Sequence, residues 1–219
     1  MSFNWKDWNI GIKLTTAFVI VIILGVGMTA YISYRQSSSA LVHEIEEQLT
    51  AVRELKKDTI ESYYGELMQN IEIVAELKVV GNNVEGFAEA FKEGTASKQY
   101  QELAKTVGHD LDKFKNEHQW YDIFLIDKQG NVIYSEAKES DYGTNLETGP
   151  YSDSGLAKAY REGKNDVTIT DFEYYEASGE PAAFVSAPIK SEQSKQILGV
   201  VALQVPVDEI NDIMKKNTG

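Results

Sequence analysis

From Leu14 to Tyr34 the chain runs 21 residues without a charge, LTTAFVIVIILGVGMTAYISY. At about 1.5 Å per residue, a helix of that length spans the roughly 30 Å hydrocarbon core of a bilayer. A lone segment in lipid must pair its backbone internally, which only a helix does. A cleaved signal peptide has a shorter apolar core of about 7–15 residues, with small residues at the cleavage point. Met28-Thr29-Ala30 does not supply that point. The run therefore predicts an uncleaved, single-pass anchor in the cell (inner) membrane. Lys6 and Lys13 precede it, with Asp7 between them, and Arg35 follows it. This bias favours a cytoplasmic N-terminus, residues 1–13, and places residues 35–219 outside the cytoplasm. Trp5, Trp8, Tyr31 and Tyr34 flank the span as interfacial aromatics.

Residues 35–118 read as a helical stalk or bundle. Between Ser37 and Val80 there is no proline, and Gly65 is the only glycine. Leu41, Ile45, Leu49, Val52, Leu55, Ile60, Tyr64, Leu67, Ile71, Val74 and Leu77 recur mostly at spacings of three and four. That is the period of an amphipathic helix. A long helix leaving a membrane anchor is commonly half of a coiled coil, so a homodimer is expected. The same stripe also suits a plain intramolecular bundle. Gly81-Asn82-Asn83 is expected to end the helix. A second helix over 84–92 and a third over about 98–117 follow, with Phe87, Phe91, Tyr100, Leu103, Val107, Leu111 and Phe114 on their apolar faces.

Residues 119–219 change character. Five strand-like runs, at 121–127, 132–137, 167–175, 182–189 and 197–206, are rich in Val, Ile, Phe and Tyr and bounded by Gly, Ser, Asn and Pro. A helical segment over 152–162 separates the second run from the third, with Ser152 or Asp153 as its N-cap. Two strands, a helical crossover and a three-strand meander make a small antiparallel sheet with flanking helices.

Several functions are excluded or unsupported. A formal net charge of −13 argues against a nucleic-acid partner, whose phosphates need a basic face. The chain has no cysteine, hence no thiolate chemistry and no disulfide framework. His43, His109 and His118 lie far apart, without a second ligand at metal spacing. There is no Gly-x-Ser-x-Gly elbow and no phosphate-binding Gly-x-x-x-x-Gly-Lys loop. The expectation is a protein that is not an enzyme, with neither cofactor nor metal. Its sheet region is rich in rings: Trp120, Tyr121, Tyr134, Tyr142, Tyr151, Tyr160, Phe172, Tyr174 and Tyr175. Small-molecule pockets favour aromatic walls with a few fixed polar groups. Tyrosine is equally at home as a sheet-packing residue.

The order of elements resembles a known family. Asn9-Ile10-Gly11-Ile12-Lys13-Leu14, one membrane helix and a long helix look like the front of a bacterial transmembrane receptor. DIFLIDKQGNVIYS, YGTNLETGPYSDSGLAKAY, DFEYYEASGEPAAFVSAPI and ILGVVALQVPVDEINDIM are similar to extracytoplasmic Cache (PAS-like) sensor domains. Such domains serve methyl-accepting chemotaxis proteins, sensor histidine kinases and membrane cyclases. The resemblance implies an α+β fold: a transmembrane helix, a long helical stalk and a PAS-like five-stranded antiparallel sheet with flanking helices. It implies a small-molecule ligand between sheet and loops, with Tyr151 and Asp171 facing it and Tyr134, Tyr174 and Tyr175 as further candidates. Strand alternation sends Tyr174 and Tyr175 to opposite faces, so at most one of the two is expected to matter. Amino-acid-binding members carry an Arg-x-Trp-Tyr signature. The corresponding place here reads Thr148-Gly149-Pro150-Tyr151, with only the tyrosine in common. Relatives continue into signalling domains, so the chain looks like a receptor's sensory front. From another class, the rival expectation is an anchored helical bundle whose sheet cap binds protein partners.

Overall fold

The computed structural model describes residues 9–216. Lys6, Asp7, Trp5 and Trp8, expected to flank the span, lie outside them. The chain divides into two compact units, Met1–Leu55 and Lys56–Gly219. A helix, α1 (Ile10–Glu76), contributes to both.

In the first unit, α1 includes a stretch long and apolar enough to cross a membrane, with a mean hydropathy of 2.3 over its best 18 residues and none of them buried. Three of its hydroxyls bond within the helix. Thr15 and Thr16 hydroxyls donate to the carbonyls of Gly11 and Ile12, at 2.7 and 2.8 Å, and Thr29 donates to Gly25 and Val26. Back-bonding of this kind lets a hydroxyl face hydrocarbon without an orphaned donor.

In the second unit, α1 ends against the protein's own core. Leu67, Ile71 and Val74, one helical turn apart, are buried. The helix stops at Glu76 because Leu77 is extended (φ −59°, ψ 125°), and α2 (Lys78–Lys92) starts at the next residue. This corrects the expected stop at Gly81-Asn82-Asn83, which lie inside α2. There, Asn83 donates to the Val79 carbonyl at 2.8 Å. The apolar period Val80, Val84, Phe87, Ala90 buries one face of α2 and outweighs the poor helix propensity of Gly and Asn. α3 (Lys98–His118) opens on Ser97, whose side chain accepts from the Tyr100 amide, and closes on Gln119 in a left-handed conformation.

The sheet comprises β1 (Asp122–Asp127), β2 (Val132–Ser135), β3 (Thr168–Ile169), β4 (Glu173–Tyr175), β5 (Glu180–Lys190) and β6 (Ile197–Pro206). Its antiparallel order is β2-β1-β6-β5-β3, and β4 also pairs with β5. The expected third run is thus two short strands on one edge. The cause is Thr170. Its amide donates to the Phe184 carbonyl at 2.9 Å, and its hydroxyl accepts from the Phe184 amide at 2.9 Å, where a backbone carbonyl would ordinarily stand. Asp171 and Phe172 then bulge outward before Glu173 rejoins opposite Ala182.

Alternation builds two cores. Ile123, Leu125, Val185, Val201 and Leu203 face α2, α3 and the end of α1. Phe124, Ile126, Phe184, Val200 and Ala202 face the other way, toward α4 (Gly155–Gly163). The α4 N-cap is Ser154, which accepts from the Ala157 amide, rather than the expected Ser152 or Asp153. α4 sits very close to the sheet. A Cβ on Gly163 would stand 2.3 Å from Ser186 Oγ and 3.0 Å from its Cβ, so only glycine permits this approach.

Candidate functional site

The sheet face under α4 is apolar through its middle and polar at one end. That end is made by the first residue of β1, the last turn of β6 and the last residue of β4. Asp122 and Gln204 are direct cross-strand partners there, and both are fully buried. The segment from Glu136 to Ser154 passes over them. Its far side is tied down by Asp127, which accepts from the Gln129 and Asn131 amides and from Asn131 Nδ2. Asn145 reinforces the tie by donating to Asn131 Oδ1.

Asp122 shapes the near side. It accepts from the amides of Ile123, Glu136 and Ala137 and from Ser135 Oγ, at 2.7–3.0 Å. Burial nevertheless pushes its carboxyl up to about 6, against the pull of the Ala137, Ser135 and Ile123 donors and with a smaller push from the Asp141 charge.

Asp141 lies at the centre. It is fully buried and takes the Tyr175 hydroxyl on Oδ2, while no protein donor meets Oδ1. Burial raises its carboxyl above the usual range, and so does Glu139. The Tyr175 hydroxyl and the amides of Asp141 and Tyr142 offset part of that rise. Tyr175 itself is pushed well up, first by burial, then by the Asp141 charge. Its ring meets Phe184 edge-on at 4.9 Å and Tyr151 at 5.9 Å. Tyr151 shares a 2.5 Å hydrogen bond with Ser140. Glu139 Oε1 accepts from Tyr121 at 2.6 Å, leaving its buried Oε2 unpaired. Gln204 donates to Ser178 Oγ at 3.0 Å, and its Oε1 is likewise buried without a donor.

The structure thus brings Tyr151 and Tyr175 together with Asp141. Tyr134 lies on the opposite face, in the α2–α3 core, and donates to Asp112 at 2.9 Å. Tyr174 points to solvent with 71% exposure. Asp171 stands exposed in the edge bulge, where its charge raises the Tyr64 hydroxyl after the effect of burial. Sequence reasoning missed Asp122, Glu139, Asp141 and Gln204. Gln204 carried a signal, as the one hydrogen-bonding side chain in ILGVVALQVP; a buried polar group must be held by something. A separate groove of about 360 Å³ opens at the Leu77 break, lined by Glu72, Lys78, Asp166 and Lys190 among others, and by none of this cluster.

No family model and no curated protein matches the sequence. Solved structures do match in fold. The sensor domain of the Vibrio cholerae histidine kinase DctB aligns over 82% of this chain and 61% of its own, with a TM-score of 0.57 at 18% identity. The ligand-binding domain of the Campylobacter jejuni chemoreceptor Tlp3, in complex with 4-methylisoleucine, aligns over 78% of this chain and 62% of its own, at 0.56 and 14%. The ligand-binding domain of the Pseudomonas fluorescens chemoreceptor CtaA, in complex with L-alanine, aligns over 78% and 64%, at 0.50 and 16%. The fold is therefore the α+β architecture of Cache-type, PAS-like sensor domains. The chain spans about three-fifths of the length of the structures it matches.

Proposed function

We propose that this chain is a membrane-anchored extracytoplasmic sensor. It binds a small molecule beneath the 136–154 segment, on the α4 side of the sheet, and passes the signal through its helical stalk. The observation that carries the reading is the closed polar end of an otherwise apolar core. Two aromatic rings, Tyr151 and Tyr175, and a buried carboxylate, Asp141, converge there, the composition of a ligand pocket. The shared fold supports it, since the matched domains of Tlp3 and CtaA hold small ligands. In this reading Tyr151 and Tyr175 contact the ligand. Asp171, Tyr134 and Tyr174 stand outside that pocket. The chain crosses the membrane once with its N-terminus in the cytoplasm, pairs with a second copy through the stalk, and carries out no catalysis.

A link toward the stalk leaves from this site. Tyr142, next to Asp141 in sequence, shares a 2.5 Å hydrogen bond with Tyr100 in the first turn of α3. A ligand that moves Asp141 thereby tugs on the helical layer on the other face of the sheet.

The test is a thermal-shift screen of the detergent-solubilised chain against small amines, carboxylates and amino acids. A ligand that binds only the folded state raises its melting temperature. A hit whose shift disappears in Tyr151→Ala, with folding intact, is the expected result. Hits that survive both Tyr151→Ala and Tyr175→Phe place the ligand elsewhere.

A further inference from the structure

The groove at the Leu77 break belongs to the opposite layer from the Asp141 cluster. Its floor includes Ala75, Leu77, Val167 and Ala187, which are part of the core that faces α2 and α3. At about 360 Å³ it falls within the range of small-ligand pockets, about 300–1,000 Å³. Three parts of the chain make its walls: the joint between α1 and α2, the residues before β3, and the end of β5 with the β5–β6 turn. The walls come close together. A Cβ on Gly81 would stand 3.9 Å from the Lys190 carbonyl oxygen.

The charges on these walls are sorted. Glu72 and Glu76 stand on the α1 wall, one turn apart, and Lys190 and Lys195 stand on the hairpin wall. Lys78 and Glu192 pair with each other at 3.9 Å. Asp166 Oδ1 accepts from the neighbouring Val167 amide at 2.8 Å. Among the described residues, Glu72, Glu76, Lys190 and Lys195 make no ion pair. Two carboxylates and two ammonium groups thus border an apolar floor without a partner. Lys195 also holds a left-handed backbone, with φ at 58°. Glycine takes that conformation without steric cost and lysine does not. The turn imposes it, because the Lys195 amide donates to the Ser191 carbonyl at 3.0 Å and the Ser191 amide donates to the Gln196 carbonyl at 2.9 Å. A strained residue at the rim of a cavity is a pattern of functional positions.

We propose that this groove is a second binding site, separate from the one beneath the 136–154 segment, and that it takes a short peptide with both ends free. The peptide's ammonium group meets Glu72 and Glu76, its carboxylate meets Lys190 and Lys195, and an apolar side chain covers the floor. A simple anion would face the two glutamates and a simple amine the two lysines, so an ion of one sign is repelled by one wall. A dipolar ligand is repelled by neither.

Calorimetry on the detergent-solubilised full chain tests this with three matched probes: alanyl-leucine, its N-acetyl derivative and its C-terminal amide. Alanyl-leucine is expected to bind at about millimolar affinity or tighter, and blocking either end should weaken it at least about tenfold. Lys195→Gly and Glu76→Gln should each weaken it about tenfold. Lys195→Gly relieves the backbone strain, so its melting temperature should hold or rise while affinity falls. A lysine with no role beyond the turn would leave affinity unchanged. Tyr151→Ala, in the other site, should leave alanyl-leucine binding intact. No binding at about 10 mM, equal affinity for the blocked derivatives, or indifference to both Lys195→Gly and Glu76→Gln overturns the proposal. Binding that is lost in Tyr151→Ala and kept in Lys195→Gly overturns it too, and leaves the sensor reading standing with the peptide in that pocket.

Discussion

The Tyr175 hydroxyl donates to Asp141 Oδ2 across 34 residues of sequence, and so joins the last residue of β4 to the segment that covers the sheet. The bond is buried on both sides: Tyr175 is 2% exposed and Asp141 is fully enclosed. Among the described residues, Tyr175 is the one side chain that donates to this carboxylate. Tyr175→Phe should therefore leave a second buried acceptor without a donor. The expected loss is about 1–3 kcal/mol of stability, read as a shift in denaturant midpoint without a change in slope. Asp141→Asn should cost less, because an amide oxygen still accepts from Tyr175. An equal or larger loss in Asp141→Asn would mean that the ionised carboxylate, rather than the hydrogen bond, holds the loop.

The acidic cluster should make stability depend on pH in a defined direction. Asp122 titrates near 3.8 when unfolded and is pushed up to about 6 in the fold, chiefly by burial. A raised carboxyl means that the folded state binds the proton more tightly. Its stabilising contribution is full below about 3.8 and is lost as pH rises through about 6, about 3 kcal/mol in all. Asp141 shifts in the same direction for the same first cause. Melting temperature should thus rise on acidification from pH 7 toward pH 5. Asp122→Asn should flatten that slope, since Oδ1 can still accept the three amides and the new amide can donate to Ser135.

Local pattern and long-range chemistry were unequally legible in the sequence. The five runs emerged because alternation and β-branched composition are local signals, and β5 and β6 match theirs closely. Alternation also separated Tyr174 from Tyr175, one exposed and one buried. The edge bulge was hidden because it depends on one hydroxyl, that of Thr170, replacing a backbone carbonyl. The helix break was misplaced because Gly81-Asn82-Asn83 is a stop signal only where nothing is gained by continuing. Here Val80, Val84 and Phe87 gain a core, and Phe87 alone is worth about 1.5–3 kcal/mol when fully buried. Asp141 carried no signal at all: it stands in a polar loop, and its importance comes from Tyr175, which topology brings to it.

The approach of α4 to the sheet leaves no room for a side chain at Gly163. Gly163→Ala places a methyl carbon 2.3 Å from Ser186 Oγ, itself held by a 2.7 Å hydrogen bond to the Ala159 carbonyl. The helix must lift or Ser186 must give up that bond, and overpacking of this kind costs about 1–3 kcal/mol. The double variant Gly163→Ala/Ser186→Ala should recover part of the loss. Full additivity of the two changes would show that the crowding lies elsewhere.

Topology is open to a direct check. The uncharged run from Leu14 to Tyr34 and the lysines before it motivate an N-in orientation. A phosphatase reporter joined after Gly219 should be active outside the cytoplasm, and its counterpart that works only inside should be silent. Reversal of the two, or release of a soluble form lacking residues 1–30, would refute the anchor.

The stalk stripe behaves differently along its length, and this motivates the dimer. In the second unit Leu67, Ile71 and Val74 are covered by the chain's own helices. In the first unit Leu41, Ile45 and Leu49 are exposed by 46–65%. Leu41, Ile45 and Leu49 keep the spacing of a coiled-coil seam. In a parallel pair the same stripe would face itself across a two-fold axis, and leucine surface buried there would be worth about 25 cal/mol per Å². Single cysteines at Leu49 or Val52 should therefore cross-link between chains in membranes under mild oxidation. A cysteine at Glu46 or Arg53, away from the seam, should cross-link much less. Equal yields at all four positions would indicate random collision, and no cross-link at Leu49 and Val52 would mean that the stripe meets something other than its twin.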